Sequence, residues 1–335
     1  MATTTAPQAP SRTRKASRQK LGESRGLAAA LISPTMVILL LVVGIPILVA
    51  FQQSLYRQGQ GLDENGFIIE GDQFVGLDNY TAIFSGDIGR VFWNAFFNTT
   101  LFTVVTTTIE VVLGIAMALI MNKAFTGRGL VRASILVPWA IPTAVSALLW
   151  RWIFDANGIA NTLIGTQVLW STDGWHARFA VIISDTWKTA PFIGLLVLAG
   201  LQVISADIYE AARIDGATAW QQFWNMTLPL VKPALLVAVL FRILDVLRMF
   251  DLPYVLIGRG KQSVETLSIL AYLETDGSRF GPAAAYAVLL FLYIVLVAYI
   301  FVRLLGADVI GDSRAPKPPK AARRRLRTVA KGDLP

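Results

Sequence analysis

Apolar runs of about 20 residues, each long enough to cross roughly 30 Å of hydrocarbon as a helix, constrain this chain more than any other feature. Inside lipid no water satisfies backbone N–H and C=O groups, so such runs must be helical. Three of them carry no charge: Leu31–Ala50, Ala133–Trp150 and Phe280–Val302. Three more are charged: Asn94–Met121 holds Glu110, Phe179–Leu201 holds Asp185 and Lys188, and Pro233–Ile257 holds Arg242, Asp245, Arg248 and Asp251. The fold class that follows is an all-α integral membrane protein with six transmembrane helices. Composition agrees, because 16% charged residues against 54% hydrophobic ones is far from the roughly 25% charged residues of soluble domains.

Lys and Arg alternate in density between successive connections. The N-terminal tail, the 2–3 and 4–5 connections and the C-terminal tail hold 20 of the 30 basic residues, and the opposite connections hold 7. The positive-inside rule then places both termini and the 4–5 connection of this multi-pass chain in the cytoplasm. No small-residue cleavage site closes the first apolar run, which reads as a retained helix. Residues 1–26 and 306–335 read as disordered basic tails around a six-helix transmembrane domain at 27–305. Their charge suits topology better than nucleic acid. With no cysteine and a single histidine, His176, read as a loop residue, the chain has no thiolate or multi-histidine metal site.

The 4–5 connection, residues 204–232, is the most informative segment. Asp207 and Glu210 have capping-box spacing, and Gly216 stands where a helix can end in a left-handed residue. Thr218 and Gln221 repeat the capping spacing. Trp220, Phe223 and Trp224 then share one face of a second short helix, which should stop at Pro229. Such an element suits docking into a partner's groove, lying on lipid or packing on its own chain. Spacing alone leaves these open.

Glu210-Ala211-Ala212, Gly216 and, after nine residues, Met226 with Leu228-Pro229 resemble the EAA loop of ABC importer permeases. Val75-Gly76-Leu77-Asp78-Asn79-Tyr80, Asn98-Thr99, Pro138 with Pro142, and Phe250-Asp251 with Tyr254 are similar to carbohydrate permeases of the maltose and glycerol-phosphate type. Within that group the chain looks most like the first permease of actinobacterial trehalose importers. The resemblance implies a type I importer permease fold whose coupling helix meets an ATPase subunit through Glu210, Ala211, Ala212, Gly216, Trp220 and Phe223. It implies as partners a second permease, two ATPase subunits carrying ATP and Mg, and an external sugar-binding protein. No cofactor is implied for this chain.

Charges within the membrane cost at least about 2.5 kcal/mol each on insertion scales. Arg242, Asp245, Arg248 and Asp251 recur every third residue, which reads either as a self-neutralising ladder or as a polar wall for a polyol. Asp185, Lys188, Thr189 and Phe192 offer a second such wall, with Asp185 and Lys188 one turn apart and Pro191 able to kink the span. The polar segments flanking the EAA loop hold the sugar in related permeases. The substrate set implied here is therefore Asp185, Lys188, Thr189, Phe192, Asp245, Arg248 and Asp251. Glu110 reads as a buried structural group, and Trp150, Trp152 and Phe154 as an interfacial belt. The segment Asp63–Asp87 reads as an external loop.

Two other functions fit the spans. One is the same architecture carrying a phosphorylated polyol on Lys188, Arg242 and Arg248. The other is a proton-coupled secondary transporter using Glu110, Asp185 and Asp245. Hydrolysis of ATP by this chain is excluded, since Gly258-Arg259-Gly260-Lys261-Gln262 lacks both the leading glycine and the hydroxyl of a phosphate-binding loop.

Overall fold

The computed structural model describes residues 29–58 and 71–306. The expected tails at 1–26 and 306–335 lie almost wholly outside the described residues, as do three of the six acids of the expected external loop, Asp63, Glu64 and Glu70. Helices dominate: α1 (Ala29–Ser54), α3 (Gly86–Asn122), α7 (Trp175–Gln202), α9 (Ala219–Val246) and α12 (Phe280–Leu304) are each long and apolar enough to cross a membrane. Between them lie β1 (Tyr56–Gln58) and β2 (Asp72–Phe74), an antiparallel pair, followed by α2 (Asp78–Ile83). A sixth span is broken. Helices α4 (Arg128–Ala140) and α5 (Thr143–Ile153) meet at 96°.

That break corrects the expectation of one straight span over Ala133–Trp150. Pro142 has no N–H to continue the hydrogen-bond ladder, and Ile141 adopts an extended backbone with ψ 134°. Span 5 is corrected as well. Helix α9 ends at Val246, and a separate short helix α10 (Asp251–Leu256) follows a turn. Arg242 and Asp245 therefore belong to one helix, while Arg248 and Asp251 do not, and the four-residue ladder does not form.

At its other end α9 passes through Pro229 instead of stopping there. A π-turn over Phe223–Thr227 lets Leu228 donate to the Phe223 carbonyl, and the extra residue removes the clash that proline makes in a regular helix. Thr227 Oγ1 donates to the Gln222 carbonyl (3.2 Å) and meets the Tyr209 hydroxyl (3.2 Å), which holds the turn. Helix α7 likewise runs without a break through Pro191. His176 lies in the first turn of α7, not in a loop, and Phe154 is buried against Trp170 instead of joining an exposed belt with Trp152.

Small residues let the central helices approach closely. A Cβ on Gly114 of α3 would lie 2.7 Å from Ile193 of α7, and one on Gly200 would lie 2.6 Å from Ala234 of α9. Outside this bundle α1 buries almost nothing along its length. Its C-terminal part packs on α12 and is tied down where Asn79 Nδ2 donates to the carbonyls of Ser54 and Tyr56 (both 2.8 Å) and the Ser54 and Tyr80 hydroxyls meet at 2.6 Å. Near the start of α7, hydrogen bonds from Ser263 hold the Asp173 carboxyl below the usual carboxylate range. A short helix α6 (Ile159–Ile164) lies between α5 and α7, and α11 (Leu267–Asp276) packs with α2 and α12 around Leu270, Ile83 and Tyr286.

Overpacking one of these close contacts tests this arrangement. Gly114→Val should cost about 1–3 kcal/mol, read as a lower unfolding temperature in detergent, whereas Gly127→Val, which meets no neighbour but carries φ +84°, should cost only its backbone strain. An unchanged unfolding temperature for Gly114→Val would contradict the packing.

Candidate functional site

Both breaks open onto one cavity of about 310 Å³. Thr143 comes from the start of α5, Asp185, Lys188 and Thr189 from α7, Arg242 and Asp245 from α9, and Arg248, Met249, Phe250 and Asp251 from the turn and the start of α10. Chain breaks at membrane depth are tolerated where they line a cavity, because the freed backbone groups find polar partners there.

Arg242 organises the cavity floor. Its Nε donates to Glu110 Oε2 (2.5 Å), its Nη2 to Glu110 Oε1 (3.0 Å) and to Asp185 Oδ2, and its Nη1 to Asp245 Oδ2 (2.6 Å). One guanidinium, 2% exposed, thus joins α3, α7 and α9. Thr189 Oγ1 lies 2.5 Å from both Glu110 Oε1 and the Asp185 carbonyl, and its single proton serves one of them at a time. Glu110 is fully buried in this network. The expected Asp185–Lys188 pair does not form. Asp185 is taken by Arg242, and Lys188 Nζ instead donates to the Ile141 carbonyl at the break between α4 and α5 (2.9 Å).

Six of the seven residues inferred for the substrate line this cavity, and Phe192 lines an adjoining one of about 280 Å³ with Trp139, Phe241 and Arg248. Trp139 and Phe192 stack at 5.8 Å. Phe250, which lines the first cavity, forms an aromatic cluster with Tyr254 and Tyr272, centroids 4.9–5.4 Å apart. Asp245, Arg248 and Asp251 remain exposed, and Arg248 forms no ion pair among the described residues, its Nε donating to the Leu244 carbonyl (3.0 Å). Sequence reasoning left Arg242, Glu110, Thr143 and Trp139 out of this set. The signal for the first two was present, since each is a charge within an apolar run.

At one end of the bundle α8 (Ala206–Ile214) begins at Ser205, whose Oγ accepts from Asp207 N (3.3 Å). The expected Asp207–Glu210 box is therefore displaced by a serine cap two residues earlier. The helix ends in a Schellman turn, with Ala217 N donating to Ala212 O (2.9 Å), Gly216 N donating to Arg213 O (3.1 Å) and Gly216 at φ +76°. Thr218 and Gln221 form a complete capping box, with Thr218 N donating to Gln221 Oε1 (2.8 Å). Glu210, Ala211, Gly216 and Trp220 are exposed, Phe223 is half-buried and Ala212 is buried beneath them. Ile214 and Trp220 expose 86% and 71% of their surface, which leaves an apolar projection at this end.

Removing the hub has a defined cost. Arg242→Met should destabilise the chain by about 3–5 kcal/mol, because it strands buried carboxylates, and Arg242→Met with Glu110→Gln should recover part of that loss in the same detergent unfolding assay. A single variant as stable as the parent would contradict the network.

Comparison with known proteins agrees with this architecture. The family model described as "Binding-protein-dependent transport system inner membrane component" matches residues 110–311. The trehalose/maltose transport system permease protein MalF of Thermococcus litoralis is 37% identical over 86% of this chain and 96% of its own length. The trehalose transport system permease protein SugA of Mycobacterium tuberculosis is 37% identical over 86% of this chain and 91% of its own. A chain from the crystal structure of a bacterial ABC transporter that imports the acidic polysaccharide alginate shares the fold, with TM-score 0.68, 22% identity, and coverage of 85% of this chain and 98% of that one.

Proposed function

This chain belongs to the family of binding-protein-dependent transport system inner membrane components, and from that premise we propose that it forms half of the pathway for a neutral di- or oligosaccharide, trehalose first among them. The cavity at the two helix breaks carries this reading, because it sets hydrogen-bonding carboxylates and hydroxyls beside aromatic rings at membrane depth. Sugar hydroxyls both donate and accept, which such a wall matches. Thr189, Phe192, Asp245, Arg248 and Asp251 face the sugar. Asp185 and Lys188 complete the wall but give their strongest bonds to Arg242 and Ile141. The trehalose named for two relatives supports the choice of substrate.

The excess of Lys and Arg on the two terminal tails, an even number of spans away from α8, supports a cytoplasmic position for it. There Glu210, Ala211, Gly216, Trp220 and Phe223 meet one of two ATPase subunits, which bind ATP and Mg, while Ala212 packs beneath. A second permease completes the pathway and an external binding protein delivers the sugar. Because α9 runs unbroken from the Thr218 box to Arg242, motion of the loop reaches the cavity floor through a single rod.

In nanodiscs holding the assembled complex, trehalose on the cognate binding protein should stimulate ATP hydrolysis. No stimulation by any neutral disaccharide would contradict the proposal. Gly216→Pro should leave the complex assembled yet uncouple hydrolysis from uptake, since proline cannot adopt φ +76°; normal uptake in that variant would refute the coupling role. Arg248, which forms no ion pair among the described residues, favours a second reading, a phosphorylated polyol. Arg248→Gln should then abolish uptake, whereas a neutral sugar should tolerate it. Proton coupling through Glu110, Asp185 and Asp245 is disfavoured, because Arg242 already engages all three.

A further inference from the structure

We infer that Lys188 is a positioning residue that sets the angle of the broken third span, in addition to facing the sugar cavity. The elbow between α4 and α5 needs such a partner. Ile141 has left the helix, Pro142 supplies no N–H, and the Ile141 carbonyl would otherwise stand unbonded at membrane depth. Lys188 Nζ donates to that carbonyl at 2.9 Å. No basic residue occupies the last turn of α4, so the ammonium also supplies the positive charge that the carbonyl end of a helix favours.

Its own helix frees Lys188 for this task. Asp185, one turn away, is held by Arg242, and Lys188 forms no ion pair among the described residues although it is 7% exposed. A buried ammonium without a carboxylate partner is costly unless its protons are bonded, and the elbow carbonyl accepts one of the three. The consequence reaches the cavity. Thr143, two residues beyond Ile141, and Lys188 line the same space as Phe250 and Asp251, so the elbow angle fixes how wide that space is.

Lys188→Met keeps the length and removes the donor, and Lys188→Arg restores a donor. The full chain contains no cysteine, so it is labelled before assembly only where cysteines are introduced. Spin labels at Leu130→Cys on α4 and Arg151→Cys on α5 read the elbow, and labels at Val104→Cys on α3 and Phe179→Cys on α7 read a part of the bundle without a break. All are measured by electron–electron double resonance in the chain assembled with its partners. A swing of about 20° at the elbow moves the far end of an 11-residue helix by about 5 Å. Lys188→Met should shift or broaden the elbow distance on that scale and leave the second distance unchanged, and Lys188→Arg should restore the wild-type elbow distribution. An unchanged elbow distance in Lys188→Met overturns the inference, and so does a change in both distances, which would mean that Lys188 holds the whole bundle.

These distances need no sugar, so they stand or fall apart from the transport reading. Uptake, which does rest on that reading, adds a second arm. A positioning role predicts a lower kcat for sugar uptake with KM little changed. A raised KM with kcat unchanged would assign Lys188 to the sugar alone.

Discussion

A guanidinium held between three carboxylates sets the geometry on which the rest of this protein depends. Arg242 draws Glu110 of α3, Asp185 of α7 and Asp245 of its own helix to one point. Placing any of these charges in lipid alone is expensive, so each is compelled to find the others, and three spans are fixed in register by that requirement. Pairing also decides which charges remain available. Asp185 is consumed and buried, Asp245 is bonded to Arg242 yet stays exposed, and Arg248 and Asp251 form no ion pair among the described residues, which is why a sequence-spaced set of charges becomes a wall with a structural side and a solute-facing side.

Two helix breaks complete the site. Each is a place where the chain gives up backbone hydrogen bonds at membrane depth, and both open onto the same space. The break at Ile141 is compensated by Lys188, and that after Val246 hands the chain to the Phe250–Asp251 turn. Below them α9 continues as one 28-residue rod to the Gly216 turn. On the proposed reading this continuity is mechanically useful, since a displacement at α8 cannot be absorbed before it reaches Arg242 and Asp245.

Much of this was legible from residues alone, and the exceptions have physical causes. Apolar run length located every span, and the Gly216 turn and the Thr218–Gln221 box follow from local backbone chemistry that any such sequence must obey. The breaks were not legible from hydropathy, which records transfer to lipid and is blind to direction; Pro142 was visible, but proline also sits inside α4, α7 and α9 without interrupting them. The end expected at Pro229 failed for a related reason, because a π-turn absorbs the proline. Arg242 and Glu110 were each conspicuous within their runs. Their pairing was not, since 132 residues separate them and only the packing of α3 on α7 and α9 brings them together.

The most direct test of the account is a cryo-electron microscopy map of the assembled transporter trapped with trehalose in its membrane domain. The account predicts sugar density in the space between Thr143, Thr189, Asp245 and Asp251, with the Arg242 network intact beneath it. Sugar density elsewhere in the pathway, with this cavity filled by side chains of the second permease, would contradict it.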